Sequence, residues 1–194
     1  YLKHGRFPNK ADSQLVYNEF NRYQLNEGIK NMEILPETRD CIKLLNKNSI
    51  STGVTTGFNK PITMNIRDRL FNQNIFIGKY VSSTCLKRPG RPHPYMINHI
   101  MDKLSITNPK TVIKVDDTVV GIEEGKKAGC ITVGVAKWST NMMMTSYNEV
   151  LTKEQHVEKI KNSRRLLNEA EPDFVITSLD ELYPLIETIS YGYL

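Results

Sequence analysis

Apolar positions follow two recurring spacings along the 194 residues, and their alternation predicts the architecture. Val16, Phe20 and Tyr23 fall at helical spacing in a segment that Gly28 closes, which predicts an amphipathic helix near the start. Pro36 opens a second helix with Cys41, Leu44 and Leu45 on one side, broken around residues 46–48. A strand over 50–55 follows, after which Asn59 caps a helix with Pro61 in its first turn, running to about Phe71. The pattern continues with a short strand over 80–83 and a helix over 94–104 carrying Met96, Ile100 and Leu104 in register. A β-branched strand over 111–115 ends on Asp116 and Asp117, and the short helix after it stops at Gly129. A strand over 131–135 comes next. Residues 137–155 are polar and Met-rich without periodicity and are expected to form a loop into a helix around 153–169. A strand over 174–177 and a helix over about 179–189 complete the chain. Helices alternating with strands predict an α/β fold, a doubly wound parallel sheet covered by helices. Reactive residues are then expected at the C-terminal ends of strands.

Composition narrows the function classes. A hydrophobic fraction of 39% supports one core, and the net charge of +5 could suggest a nucleic-acid partner. The Lys and Arg residues, however, are interspersed with acids and form no long run, so a small anionic ligand fits equally well, a merely soluble surface fits better than either, and no nucleic acid is expected. Cys41, Cys85 and Cys130 show no CxxC spacing, which argues against a disulfide framework or zinc site and for reduced thiols in a cytoplasm-like compartment. No apolar run is long enough to span a bilayer and no signal-like segment opens the chain, so no membrane partner is expected. The chain opens at Tyr1 rather than Met, and residues are expected to precede it.

Three strand ends carry unusual chemistry. At Thr55-Thr56-Gly57 a strand stops on hydroxyls and a glycine just before a helix, a combination suited to a phosphate oxygen. At Gly90-Arg91-Pro92-His93-Pro94 two prolines stiffen the backbone around one arginine, whose guanidinium forks well onto phosphate oxygens. At Val115-Asp116-Asp117-Thr118 two adjacent carboxylates repel each other unless a cation or hydrogen bonds compensate, which suits magnesium. Taken singly, each has an ordinary reading: a Thr-Gly turn, a solvated arginine, a helix cap. His93 and His99 have no partner at ligand spacing and are expected at the surface or in packing.

In this order the three motifs, extended by Ile113-Lys114-Val115-Asp116-Asp117-Thr118-Val119 through Gly121-Ile122-Glu123-Glu124-Gly125 and by Ala128-Gly129 through Thr132-Val133-Gly134-Val135, resemble the C-terminal part of the phosphonoacetaldehyde hydrolase family of the haloacid dehalogenase superfamily. The resemblance implies a Rossmannoid parallel sheet flanked by helices. Residues 1–30 would be the C-terminal part of a helical cap, and residues 31–194 a core lacking its first strand. It implies cleavage of the carbon–phosphorus bond of phosphonoacetaldehyde to acetaldehyde and phosphate. Thr56 would hydrogen-bond the phosphoryl group beside the Gly57 backbone, and Arg91 would stand where most of the superfamily's phosphatases carry Lys. Asp117, with Asp116 adjacent, would hold Mg2+. Glu123 and Glu124 are weaker candidates, because Gly121 stands where some relatives have a further acid. A homodimer and a small phosphonate substrate are implied as well.

The same resemblance implies a first strand ending in Asp-x-Ala-Gly-Thr, whose Asp attacks phosphorus, and a cap lysine that forms a Schiff base with the aldehyde. Neither lies in residues 1–194: Asp12 is expected at a helix start and Asp40 within a helix. Phe58 also stands where the family usually has Tyr. The alternative expectation is therefore a catalytically inactive homologue with a structural or partner-binding role. A sheet without its central strand would expose unpaired edges.

Overall fold

The structure is a computed structural model that describes residues 5–144 and 149–192. Helix α1 (Lys10–Tyr23) starts on a capping box in which the Asn9 side chain accepts from the Ala11 and Asp12 amides and the Asp12 carboxylate accepts in return from the Asn9 amide. It runs into a π-helical turn over Gln24–Gly28. None of its residues is buried, and Val16, Phe20 and Tyr23 all lie exposed, so the amphipathic face is present but unpacked.

Helix α2 (Pro36–Lys47) buries Cys41 and Leu45, one turn apart. Leu44, expected on the same side, is 37% exposed, because the stripe that meets the core is narrower than the three apolar residues suggested. Strand β1 (Gly53–Thr56) begins later than expected, since its partner β2 (Lys79–Ser82) begins only at Lys79, opposite Gly53. Between them lies α3 (Lys60–Asn72), whose Asn59 cap accepts from the Ile62 amide at 3.1 Å.

A short helix α4 (Ser83–Leu86), not foreseen from periodicity, turns the chain toward α5 (Tyr95–Lys103). Helix α5 buries Met96, Ile97 and Met101 rather than a stripe centred on Ile100 and Leu104, which are only partly covered. Strand β3 (Ile113–Asp116) leads through the Thr118 cap into α6 (Val119–Ala128), which ends on Gly129 at φ 78°, a left-handed value that glycine takes without a Cβ penalty. Strand β4 (Ile131–Val135) follows at once.

The excursion after β4 is more ordered than a plain loop. Met142 lies in a 3-10 turn over Thr140–Met142 at 1% exposure, Ser139 and Ser163 hydroxyls meet at 2.6 Å, and Lys159 donates to the Met142 and Met143 carbonyls. Part of the expected loop, residues 145–148, lies outside the described residues. Helix α7 (Lys153–Asn168) starts on a Thr152–Gln155 capping box, β5 (Phe174–Ile176) follows, and α8 (Leu182–Ser190) closes the described chain after a 3-10 turn.

All strand pairs are parallel, as the βα alternation requires, yet they form two sheets: β1–β2, and β3–β4–β5 in that order. Among the described residues, β1 and β3 each keep one unpaired edge. Consecutive residues 50–55 and 110–116, together with parts of α2, α5 and α8, line a cavity of about 840 Å³. Because side chains alternate between faces, lining by every successive residue means that the cavity runs along the strand edges rather than over one face. The core borders this cavity, with Cys41, Leu45, Val133, Val135, Ile176 and Leu182 in one cluster and Ile97, Met101 and Cys130 in another; Cys41, Leu45, Leu182, Ile97 and Met101 also line it.

Candidate active site

A buried ionic network joins the C-terminal ends of β1 and β3. Its centre is Lys114, a residue the sequence motifs did not single out. Two residues before Asp116 on β3, it shares that carboxylate's face of the strand. Its ammonium donates to Thr55 Oγ1 at 2.8 Å and meets Asp116 Oδ2 at 3.0 Å and Glu124 Oε2 at 3.1 Å, so each of its three N–H bonds has an oxygen. A lysine inside the run Ile-Lys-Val-Asp was the available signal, since a charge in the middle of a covered strand requires partners.

Arg91 closes the network from the turn before α5. It donates to the Thr55 carbonyl at 3.0 Å and to Asp116 Oδ2 at 3.5 Å, and its Nε lies 3.7 Å from Glu124 Oε2 without a hydrogen bond of its own. The two hydrogen bonds hold the guanidinium across the tops of β1 and β3, as the proline-stiffened segment suggested. Glu124 is fully buried, accepts from Thr55 Oγ1 at 3.1 Å, and leaves Oε1 without a hydrogen-bond partner.

Alternation along β1 separates the two threonines. Thr55 faces the network, while the Thr56 hydroxyl accepts from the Phe58 amide at 3.2 Å and keeps its own proton for an incoming oxygen. Gly57 is exposed, with nothing within 4 Å of where a side chain would begin. Of the residues picked from the motifs, Arg91 and Asp116 are in direct contact, and Thr56 and Gly57 border them through Thr55.

The adjacent carboxylates differ in environment. Burial pushes the Asp116 carboxyl toward neutrality, but Lys114, the Thr118 bonds and Arg91 together outweigh it and hold the group below the ordinary carboxylate range. Burial, reinforced by the neighbouring Asp116 charge, raises Asp117 instead, against bonds accepted from the Thr140 amide at 3.2 Å and from its own amide and against the Arg91 charge. Asp116 has both oxygens engaged: Oδ1 accepts from the Thr118 amide and hydroxyl at 3.0 and 2.7 Å, and Oδ2 faces the two cations.

This distribution bears on magnesium. Asp117, a partly buried carboxylate destabilised by its neighbour, is the kind of oxygen donor that a divalent cation relieves. Asp116 is taken up by Lys114, Arg91 and Thr118. Among the described residues, no group of three or more His, Cys, Asp or Glu side chains gathers to hold a metal. Magnesium commonly binds through only one or two protein carboxylates and keeps several waters, so Asp117 alone fits the hydrated ion.

The haloacid dehalogenase-like hydrolase family model matches residues 3–129. A phosphonoacetaldehyde hydrolase of Paraburkholderia phytofirmans is 32% identical over 96% of this chain and 70% of its own length. One from Latilactobacillus sakei is 29% identical over 94% and 69%. Among solved structures, a phosphonoacetaldehyde hydrolase-like protein from Oleispira antarctica superposes with a TM-score of 0.87 at 25% identity, covering 95% of this chain and 67% of that one. Among the described residues no helix is long and apolar enough to cross a membrane.

Proposed function

Because the chain belongs to the haloacid dehalogenase-like hydrolases, we propose that it is the phosphonate-binding part of a phosphonoacetaldehyde hydrolase. That reaction turns phosphonoacetaldehyde and water into acetaldehyde and phosphate: the carbon–phosphorus bond breaks, oxygen bonds to phosphorus and a proton goes to the methyl carbon. The observation that carries the reading is Arg91, held by the Thr55 carbonyl and Asp116 where β1 and β3 end. Its N–H groups not used in these bonds would fork onto phosphonate oxygens, and the free Thr56 hydroxyl proton and the open backbone at Gly57 would take another. Magnesium, when bound, supplies charge neutralisation at the phosphoryl oxygens, and Asp117 is the residue that would hold it.

Carbon leaves phosphorus poorly unless its electron pair is delocalised, so the reaction also needs a carboxylate nucleophile and a lysine imine as electron sink. Neither falls within residues 1–194, and the reading assigns both to further parts of the polypeptide. The gap between the free edges of β1 and β3 supports that assignment, because one added parallel strand there would join the two sheets and end beside Arg91 and Asp117. Residues 1–30 are then cap and residues 31–194 core. The substrate is a small phosphonate, the setting cytoplasmic and the assembly a homodimer.

Phosphate release from phosphonoacetaldehyde by the complete polypeptide, with Arg91→Ala as control, tests the proposal. Release that depends on Arg91 supports it. Phe58 and the fully engaged Asp116 favour a second reading, a non-catalytic homologue that binds anions or partners. Phosphate binding without any turnover would sink the first reading in favour of the second.

A further inference from the structure

Gly121 and Asp116 share one volume. A Cβ built on Gly121 would lie 1.9 Å from the Asp116 carboxyl carbon and 2.1 Å from each of its oxygens. An aspartate at 121 would set its own carboxyl carbon one C–C bond, about 1.5 Å, beyond that Cβ. The carboxyl group of Asp116 therefore stands close to where one rooted at 121 would stand. Residue 121 is the third helical position of α6, and its amide donates to the Thr118 cap at 3.1 Å. An acidic side chain is favourable at that position, so helix formation does not oppose moving the carboxylate there. From its present root the carboxylate ties Lys114, Arg91 and Thr118 together at 7% exposure.

We infer that Asp116 is a positioning residue for Arg91, and that Gly121 is its steric complement: the network requires one carboxylate in this space, rooted at 116 or at 121 but not at both. The positioning half rests on the proposed anion-binding role of Arg91. The steric half does not.

Two measurements on the complete polypeptide test the inference, and neither uses phosphonoacetaldehyde, so failure of hydrolysis leaves both readable. The first is the thermal unfolding midpoint of Gly121→Asp, Asp116→Gly and the double variant. Gly121→Asp alone is expected to unfold far below wild type or fail to fold, and adding Asp116→Gly is expected to recover most of the loss. A double variant no more stable than Gly121→Asp, or a Gly121→Asp protein as stable as wild type, overturns the shared volume.

The second measurement is calorimetric affinity for inorganic phosphate. Arg91→Ala is expected to weaken binding about tenfold or more in the wild-type background, the size of a charge-assisted hydrogen bond. In an Asp116→Asn background, which keeps the volume but not the charge, the same substitution is expected to cost less than about threefold. An equal Arg91→Ala penalty in both backgrounds overturns the positioning role, as does a wild-type protein that binds no phosphate.

Discussion

Replacing Lys114 by Met removes the cation at the centre of the network while keeping most of its volume. The ammonium serves Thr55 Oγ1, Asp116 Oδ2 and Glu124 Oε2 within 2.8–3.1 Å, and its side chain is 10% exposed. Asp116 keeps Arg91 and Thr118. Glu124 does not fare as well: at 0% exposure, with Oε1 already unpartnered, it would retain only the Thr55 hydroxyl and an Arg91 nitrogen 3.7 Å away. Removing one member of a buried pair costs about 3–5 kcal/mol. At roughly 2–4 °C per kcal/mol for a domain of this size, the midpoint should fall by about 6–20 °C. Circular dichroism during thermal and urea unfolding of the protein measures the loss. Adding Glu124→Met replaces the pair with apolar groups and should recover more than half of it, since the uncompensated charge, rather than the missing attraction, dominates the cost. A Lys114→Met loss below about 1 kcal/mol, or a second substitution that destabilises further, would refute this reasoning.

Arg91→Lys should weaken phosphate binding nearly as much as Arg91→Ala, because a point charge cannot reproduce the planar fork that spans the Thr55 carbonyl and Asp116; calorimetry reads the difference. Asp173 accepts from the Thr132 amide at 2.7 Å and hydroxyl at 2.8 Å; burial opposes its ionisation, but these bonds prevail and hold it below the ordinary value of 3.8. Its contribution is thus complete above the unfolded-state value and is lost as pH falls through the lower folded one. Asp173→Asn should flatten the acid limb of a stability–pH curve, and an unchanged limb would contradict the assignment. Gly125→Ala should cost about 1–3 kcal/mol in urea unfolding, because the new methyl would lie 2.8 Å from Lys114 and Thr132 side-chain carbons, whereas Gly57→Ala meets nothing within 4 Å and should leave stability unchanged.

What the sequence determined on its own is chiefly local. The Asn59 cap, the Gly129 stop and the β-branched strands, expected at 111–115 and 131–135 and found at 113–116 and 131–135, depend on neighbours a few residues away, so spacing and side-chain type suffice to read them. The three motifs were legible for the same reason and led to the family, although the one around Arg91, expected at a strand end, lies beyond α4 in the turn before α5. Tertiary structure decided which of these groups meet. Lys114 reaches Thr55 across 59 positions and Glu124 reaches it across 69, so no window of the sequence could show that Thr55 rather than Thr56 joins the network. Nor could it show that Asp116 turns one oxygen to two cations and the other to Thr118 while Asp117 accepts from the Thr140 amide, or that Leu44 turns outward while Cys41 and Leu45 pack inward. These outcomes follow from how closely β1, β3, α5 and α6 approach, a distance set by side-chain volumes such as the missing Cβ atoms of Gly121 and Gly125. A hydrogen-bonding pattern can be written into adjacent residues, whereas the charge balance of a buried site exists only once separate elements have excluded water from it.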